Sequence, residues 1–138
     1  QLGGQFESRD NTASVTQSGD DNIATVNQDN GVTSPGIGVD NDASIEQSGD
    51  WNVATVSQDD FNTAEVLQTG LGTALDPNTV NITQNDDDDT AYAEQNGGEG
   101  NAITINQDLG CVIGGCGSTN NATAIQTGTF NTTTITQN

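Results

Sequence analysis

The stretch from Ala13 to Gln28, ASVTQSGDDNIATVNQ, says one phrase twice. Ala-Ser-Val-Thr-Gln is answered by Ala-Thr-Val-Asn-Gln across a joint that contains Gly19. Every second residue is small, branched aliphatic or amide, and a period of two is that of a β-strand. Aligned on Asn-x-Ala-x-(Val/Ile)-x-Gln, the phrase recurs at 11–17, 22–28, 41–47, 52–58, 62–68, 78–84, 89–95, 101–107, 120–126 and 131–137. No 3.6-residue period appears, and Asn, Gly, Thr and Val are too frequent for helices. Ten short strands are predicted.

The spacing between phrases sets the topology. Successive gaps run 4, 12, 4, 3, 9, 4, 5, 12 and 4 residues. Each odd-numbered gap has Gly at its second position: Gly19, Gly49, Gly70, Gly97 and Gly128. Glycine there permits the positive φ of a tight arc. The unit is therefore strand, arc, strand, used five times. Alternation sends the four phrase positions of each strand to one side. Two facing strands enclose a thin interior, and stacked units enclose a column: an all-β, two-sheet β-solenoid of five rungs, parallel from rung to rung.

That arrangement reconciles the fold with an unusual composition. Among 138 residues only 30% are hydrophobic and 4% aromatic, and the formal net charge is −19. Such a composition alone reads as disorder, and the internal repeat overrules it. Odd strands line one end of the interior with Asn11, Asn41, Asn62, Asp89 and Asn120, and the other with Gln17, Gln47, Gln68, Gln95 and Gln126. Even strands place Asn22, Asn52, Asn78, Asn101 and Asn131 opposite Gln28, Gln58, Gln84, Gln107 and Gln137. A buried amide is costly unless its donors and acceptors are used. Amides stacked about 4.8 Å apart are expected to satisfy one another along each column, as in cross-β ladders.

The repeated pattern Gln-x-Gly-x-x-Asn-x-Ala-x-Val-x-Gln, as in QSGDDNIATVNQ and QSGDWNVATVSQ, resembles the curlin repeat of bacterial curli fibre subunits. The resemblance runs over residues 11–137. It implies a secreted β-solenoid that stacks end to end into functional amyloid of the biofilm matrix, with a nucleator subunit and a secretion machinery as further partners. By the same resemblance, the Asn and Gln columns occupy the positions that carry stacking. The chain then divides into an N-terminal segment, 1–10, and a solenoid, 11–138. Both ends are expected to present open strand edges, which invite pairing with another copy. A head-to-tail contact of this kind does not close and yields a filament.

Charge narrows the partners. Twenty acids face a single cation, Arg9, with no His or Lys. Nothing can neutralise the phosphates of nucleic acid or hold an anionic membrane surface. No apolar run approaches a membrane span, and QLGGQFESRD lacks the basic and apolar regions of a signal peptide. The chain is thus either a mature form or one that never carried such a signal. The runs Asp59-Asp60 and Asp86-Asp87-Asp88 read as a solvated edge, with a Ca²⁺ site as the alternative. Cys111 and Cys116 suit a local disulfide of an oxidising compartment, or two reduced thiols in a loop; two thiols without His are too few for a metal site. The 12-residue loops 29–40 and 108–119 carry Val32, Ile37, Val39, Leu109, Val112 and Ile113. They are read either as clasps across a subunit junction or as tolerated insertions.

No cofactor is expected, and enzyme chemistry finds little support. An activated nucleophile and a phosphate loop are both lacking, and a thin interior leaves no substrate cleft. Paired acids in turns, the arrangement of a carbohydrate-cleaving solenoid, are the residual enzymatic reading. The expected function is an extracellular, self-assembling structural protein. Its alternative is ice binding by the outward face of the even strands, where Thr25, Thr55, Asn81, Thr104 and Thr134 form one row.

Overall fold

A computed structural model describes residues 10–29, 40–59, 61–85, 88–108 and 119–137. Ten strands follow in order: β1 (Thr12–Ser18), β2 (Ile23–Gln28), β3 (Asp42–Ser48), β4 (Asn52–Gln58), β5 (Thr63–Gln68), β6 (Asn78–Gln84), β7 (Thr90–Asn96), β8 (Ala102–Gln107), β9 (Asn121–Thr127) and β10 (Thr132–Gln137). They lie within a residue or so of the repeated phrases. One sheet has the order β1-β3-β5-β7-β9 and the other β10-β8-β6-β4-β2. Every pairing is parallel. The chain therefore alternates between two sheets and climbs one rung per pair of strands, which is a β-solenoid.

Like residues stack on like. Ala13, Ala43, Ala64, Ala91 and Ala122 are register partners along the odd sheet, and Val26, Val56, Ile82, Ile105 and Ile135 along the even one. A slip of one residue would turn the aliphatics outward, so this match fixes the register. The inward file of Ala, Val and Ile forms one continuous core from Ala43 to Ala124, with Ala24, Val26 and Ile135 packed at its ends. Nearly as many polar side chains as apolar ones are buried. The interior holds together only if those polar groups are paired.

The arcs bear out most of the glycine reading. Gly19, Gly49, Gly97 and Gly128 take φ of 95°, 100°, 146° and 101°. Gly70 does not adopt a positive φ, and its role is different. A Cβ there would lie 2.5 Å from the Gly97 carbonyl oxygen and 2.6 Å from Asn78 Nδ2, so closeness of approach requires the glycine. The residue just before the inward Asn or Asp is a second left-handed position, filled by Asp21, Trp51, Phe61, Asp88, Gly100 and Phe130. The nine-residue arc is an ordinary arc with a bulge. Leu71 N–H still donates to Gly97 O (3.2 Å) and Gly72 N–H to Asp50 O (2.8 Å), while Thr73 and Asp76 close a small turn that leaves Leu75 exposed.

Several expectations fall outside the described residues. They concern the clasp between loops 29–40 and 108–119 beyond Asp29, Asp40, Asp108 and Thr119, the Cys111–Cys116 pair, and Asp60, Asp86 and Asp87 in the acidic runs. Among the described residues no group of three acids is gathered as a metal site.

Candidate functional site

The glutamines form two unbroken ladders. In the odd sheet Gln17 Nε2 donates to Gln47 Oε1 (2.7 Å), Gln47 to Gln68 (2.8 Å), Gln68 to Gln95 (2.7 Å) and Gln95 to Gln126 (3.3 Å). In the even sheet Gln28 donates to Gln58 (3.2 Å), Gln58 to Gln84 (3.0 Å), Gln84 to Gln107 (3.1 Å) and Gln107 to Gln137 (2.9 Å). From Gln28 on, each ladder Nε2 also donates its second proton across the interior to a backbone carbonyl of the opposite sheet. Gln47 reaches Ile23 O (3.0 Å), Gln95 reaches Thr79 O (2.9 Å), and Gln84 reaches Thr63 O (3.1 Å). A carbonyl oxygen cannot donate, so the amide atom that faces it must be the nitrogen, and these contacts decide which end of the amide is which. Both glutamine ladders therefore run one way, with donors facing the C-terminal rung, whereas in the even Asn column the Nδ2 groups of Asn78, Asn101 and Asn131 donate toward the N-terminal rung.

The asparagines split into two kinds, against the expectation that every column would be satisfied alike. In the even column the side-chain oxygens of Asn22, Asn78 and Asn101 accept the backbone N–H of the Asn one rung on; Asn52 does not, because Asn78 N–H turns to Trp51 O. The Nδ2 groups of Asn22, Asn52 and Asn101 clasp arc carbonyls. Asn22 holds Ser18 O (3.0 Å) and Gly49 O (2.7 Å), Asn52 holds Ser48 O (3.3 Å) and Gly70 O (3.1 Å), and Asn101 holds Gly98 O (3.0 Å) and Gly128 O (2.8 Å). In the odd column the oxygen is used in the same way: Asn41 N–H donates to Asn11 Oδ1 (3.2 Å), and Asn62 N–H to Asn41 Oδ1 (2.8 Å). There, however, the Nδ2 groups of Asn41, Asn62 and Asn120 are buried without a hydrogen-bond partner.

This split accounts for a residue that the amide pattern passed over. Asp89 stands in the odd Asn column, buried. Its N–H donates to Asn62 Oδ1 (2.9 Å) and its Oδ1 accepts from Asn120 N–H (3.0 Å). Where only one oxygen works, a carboxylate can take the amide's place, and Asp89 does so through Oδ1. The signal was present in the sequence: the odd column contains an Asp and the even column none.

The two ends of the ladders are unlike the middle. Val15 is 47% exposed, whereas Ile45, its partner one rung on, is 1% exposed. Ala13 and Gln17 are exposed as well, so the inward face of β1 is uncovered. At the other end Thr133, Ile135 and Gln137 of β10 are half-buried. The cause is the half-rung offset between sheets: each inward Gln reaches back to the strand before it in the chain, and among the described residues no strand precedes β1. Among the described residues Gln17 Oε1 and Gln28 Oε1 accept no ladder bond from another Gln; Gln126 Nε2 donates to Ala102 O and Thr133 Oγ1 and Gln137 Nε2 to Asn121 O instead of to a further Gln.

The family model of the curlin associated repeat matches residues 9–32 and 38–70, which hold β1 to β5. These residues are similar to curlin-associated repeats over somewhat less than half of the chain. The strand register of the matched residues continues through β6 to β10, outside the match, because the same columns run on. No curated protein matches the chain at a significant level.

Proposed function

We propose that this curlin-repeat solenoid is an extracellular structural protein that assembles head to tail into curli-like amyloid fibres of a biofilm or cell-surface matrix. The observation that carries the reading is the one-way ladder with unequal ends. In the glutamine ladders the C-terminal rung presents amide N–H groups and the N-terminal rung amide oxygens, so a second copy added in the same orientation continues both ladders, Gln126 Nε2 exchanging Thr133 Oγ1 for its new partner. Added in the opposite orientation, it would set donor against donor. In the resulting junction β9 pairs with β1 of the next copy and β10 with its β2. Gln126 Nε2 then meets Gln17 Oε1, and Val15 and Gln17 become buried as Ile45 and Gln47 are. The Asn and Gln columns are the self-assembly residues, residues 1–10 stand ahead of the solenoid as a separate segment, and the role is non-catalytic. Export, and a nucleator that presents the first rung, come from the curlin resemblance. Five rungs at about 4.8 Å advance a fibre by about 24 Å per copy.

A cysteine pair tests the junction. Thr16 and Ile125 lie in one outward file, at opposite ends of the odd sheet. Within one chain they stand four strand spacings apart, about 19 Å, too far for a disulfide. Across the junction they become register neighbours. In a Cys111→Ser, Cys116→Ser background, Thr16→Cys with Ile125→Cys should give a ladder of covalent multimers on oxidation of fibres. Monomer alone, from fibres or in their absence, overturns the reading.

The ice-binding alternative rests on the row of Thr25, Thr55, Thr104 and Thr134, which share one register file broken by Asn81. Thermal hysteresis measured on monomer is its test.

A further inference from the structure

The net charge of −19 is not spread over the surface. The outward residues of the odd sheet include Asp42, Glu46, Glu65 and Glu94. The arcs and loop ends carry Asp20, Asp21, Asp50, Asp29, Asp40 and Asp108. The outward residues of the even sheet include no charged side chain on any of its five strands. They are Thr, Ser and Asn, with Ile23, Val53 and Ala102 in one file, and the register aligns them from rung to rung.

For a chain this acidic, contact between copies is opposed wherever two carboxylate faces meet. The even face is the one broad surface among the described residues on which two copies meet without that cost. Its short, β-branched side chains interdigitate across a dry sheet-to-sheet contact, as in a steric zipper. We infer that the even face is a lateral interface that pairs two filaments of this protein face to face, leaving the acidic odd faces outward. This inference rests on the head-to-tail reading above.

Area decides when pairing happens. Five strands about 4.8 Å apart and six residues at about 3.3 Å each give a face of about 480 Å². Two single copies would bury about 960 Å² in total, less than the roughly 1,200 Å² at which stable interfaces begin. Filaments of several copies multiply that area without a further loss of translational freedom. Single copies therefore stay unpaired and filaments pair, so lateral association follows elongation.

The test is to place a like charge on each face in turn. Fibres of the parent chain, imaged by cryo-electron microscopy, should be predominantly double, with the even sheets at the contact about 10 Å apart. Thr55→Glu with Thr104→Glu should lower the fraction of double fibres at least tenfold and leave elongation unchanged, whereas Ser44→Glu on the odd face should change neither. Should the double variant fail to form fibres, Thr104→Cys supplies a second readout. Its thiol in preformed fibres should resist a maleimide that reacts with it in monomer. Single parent fibres, doubles joined through the odd face, or a fully reactive Cys at 104 in fibres each overturn the lateral interface and leave head-to-tail assembly intact. A parent chain that forms no fibres overturns both.

Discussion

At one edge of the solenoid the amides of Asn22, Asn52, Asn101 and Asn131 reach out and hold the carbonyls of the arcs. At the other edge Asn41, Asn62 and Asn120 occupy the equivalent place, and their Nδ2 groups hold nothing. The connections differ in step. Those at the clasped edge run 4, 4, 9, 5 and 4 residues, and those at the unclasped edge 12, 3, 4 and 12. A connection whose carbonyls are ligands of a buried amide must keep its path, and one that is not so held is free to vary. The nine-residue arc supports the rule by its exception: Asn78 Nδ2 gives up the arc carbonyls and donates to Asn52 Oδ1 (3.2 Å).

The comparison breaks most easily at a glycine of the clasped edge. A Cβ on Gly49 would lie 2.3 Å from Gly70 O, on a backbone with φ of 100°. The left-handed conformation alone costs about 1–2 kcal/mol, so Gly49→Ala should lose about 3 kcal/mol with the clash included. Thermal unfolding of dilute monomer, followed by the fluorescence of Trp51, measures it; a loss under about 1 kcal/mol would break the argument.

Next in size is a matched pair of amide changes. Asn52→Asp removes two clasps and sets a carboxylate against carbonyls, at a cost of about 3 kcal/mol. Asn41→Asp keeps the only atom in use and should cost at least about 1 kcal/mol less. Equal losses would mean that the two columns do the same work. Asp89→Asn should shift stability by under about 1 kcal/mol in either direction, because Oδ1 is retained.

Loop length gives a smaller effect. Four Gly and Ser residues inserted between Asp59 and Phe61 should cost under about 1 kcal/mol, and the same insert between Gly49 and Trp51 should cost several times more. Unfolding midpoints of the two variants compare the edges directly.

The smallest effect lies on neither edge. Tyr92 donates to Glu94 Oε2 (2.7 Å), and its ionisation is pushed up to about 12 by that hydrogen bond, by burial and by the charges of Glu94 and Glu65. The unfolded chain loses this proton near the ordinary value of about 10. Stability from this group is therefore complete below about pH 10 and declines as pH rises toward 12. Absorbance titration of the single Tyr should show the raised midpoint, and Glu94→Gln should lower it.

Much of this was legible in the residues. Alternation gave the strands, the recurrence of Gly every second connection gave the strand-arc-strand unit, and matching columns gave the register. What was not legible depends on partners that a repeat position does not reveal. Asn41 and Asn52 read alike in the phrase, but only one has an arc carbonyl within reach. Gly70 stands where the other arc glycines stand, yet it is needed for space rather than for φ, because the longer arc redirects the chain behind it. Asp89 looked like a lapse in an amide column until the column proved to use only oxygens.

One feature of the ladders bears on how such chains change over generations. Successive rungs of the odd Gln ladder are 30, 21, 27 and 31 residues apart in sequence, yet the bond between them is the same. Each side chain meets only the rung above and the rung below. A tandem duplication that copies one whole rung, whatever its length, thus adds an interior already fitted to its neighbours. A deletion of one whole rung heals the same way. Chain length is free to drift by recombination in steps of a rung, while a shift of one residue inside a strand is lethal to the fold.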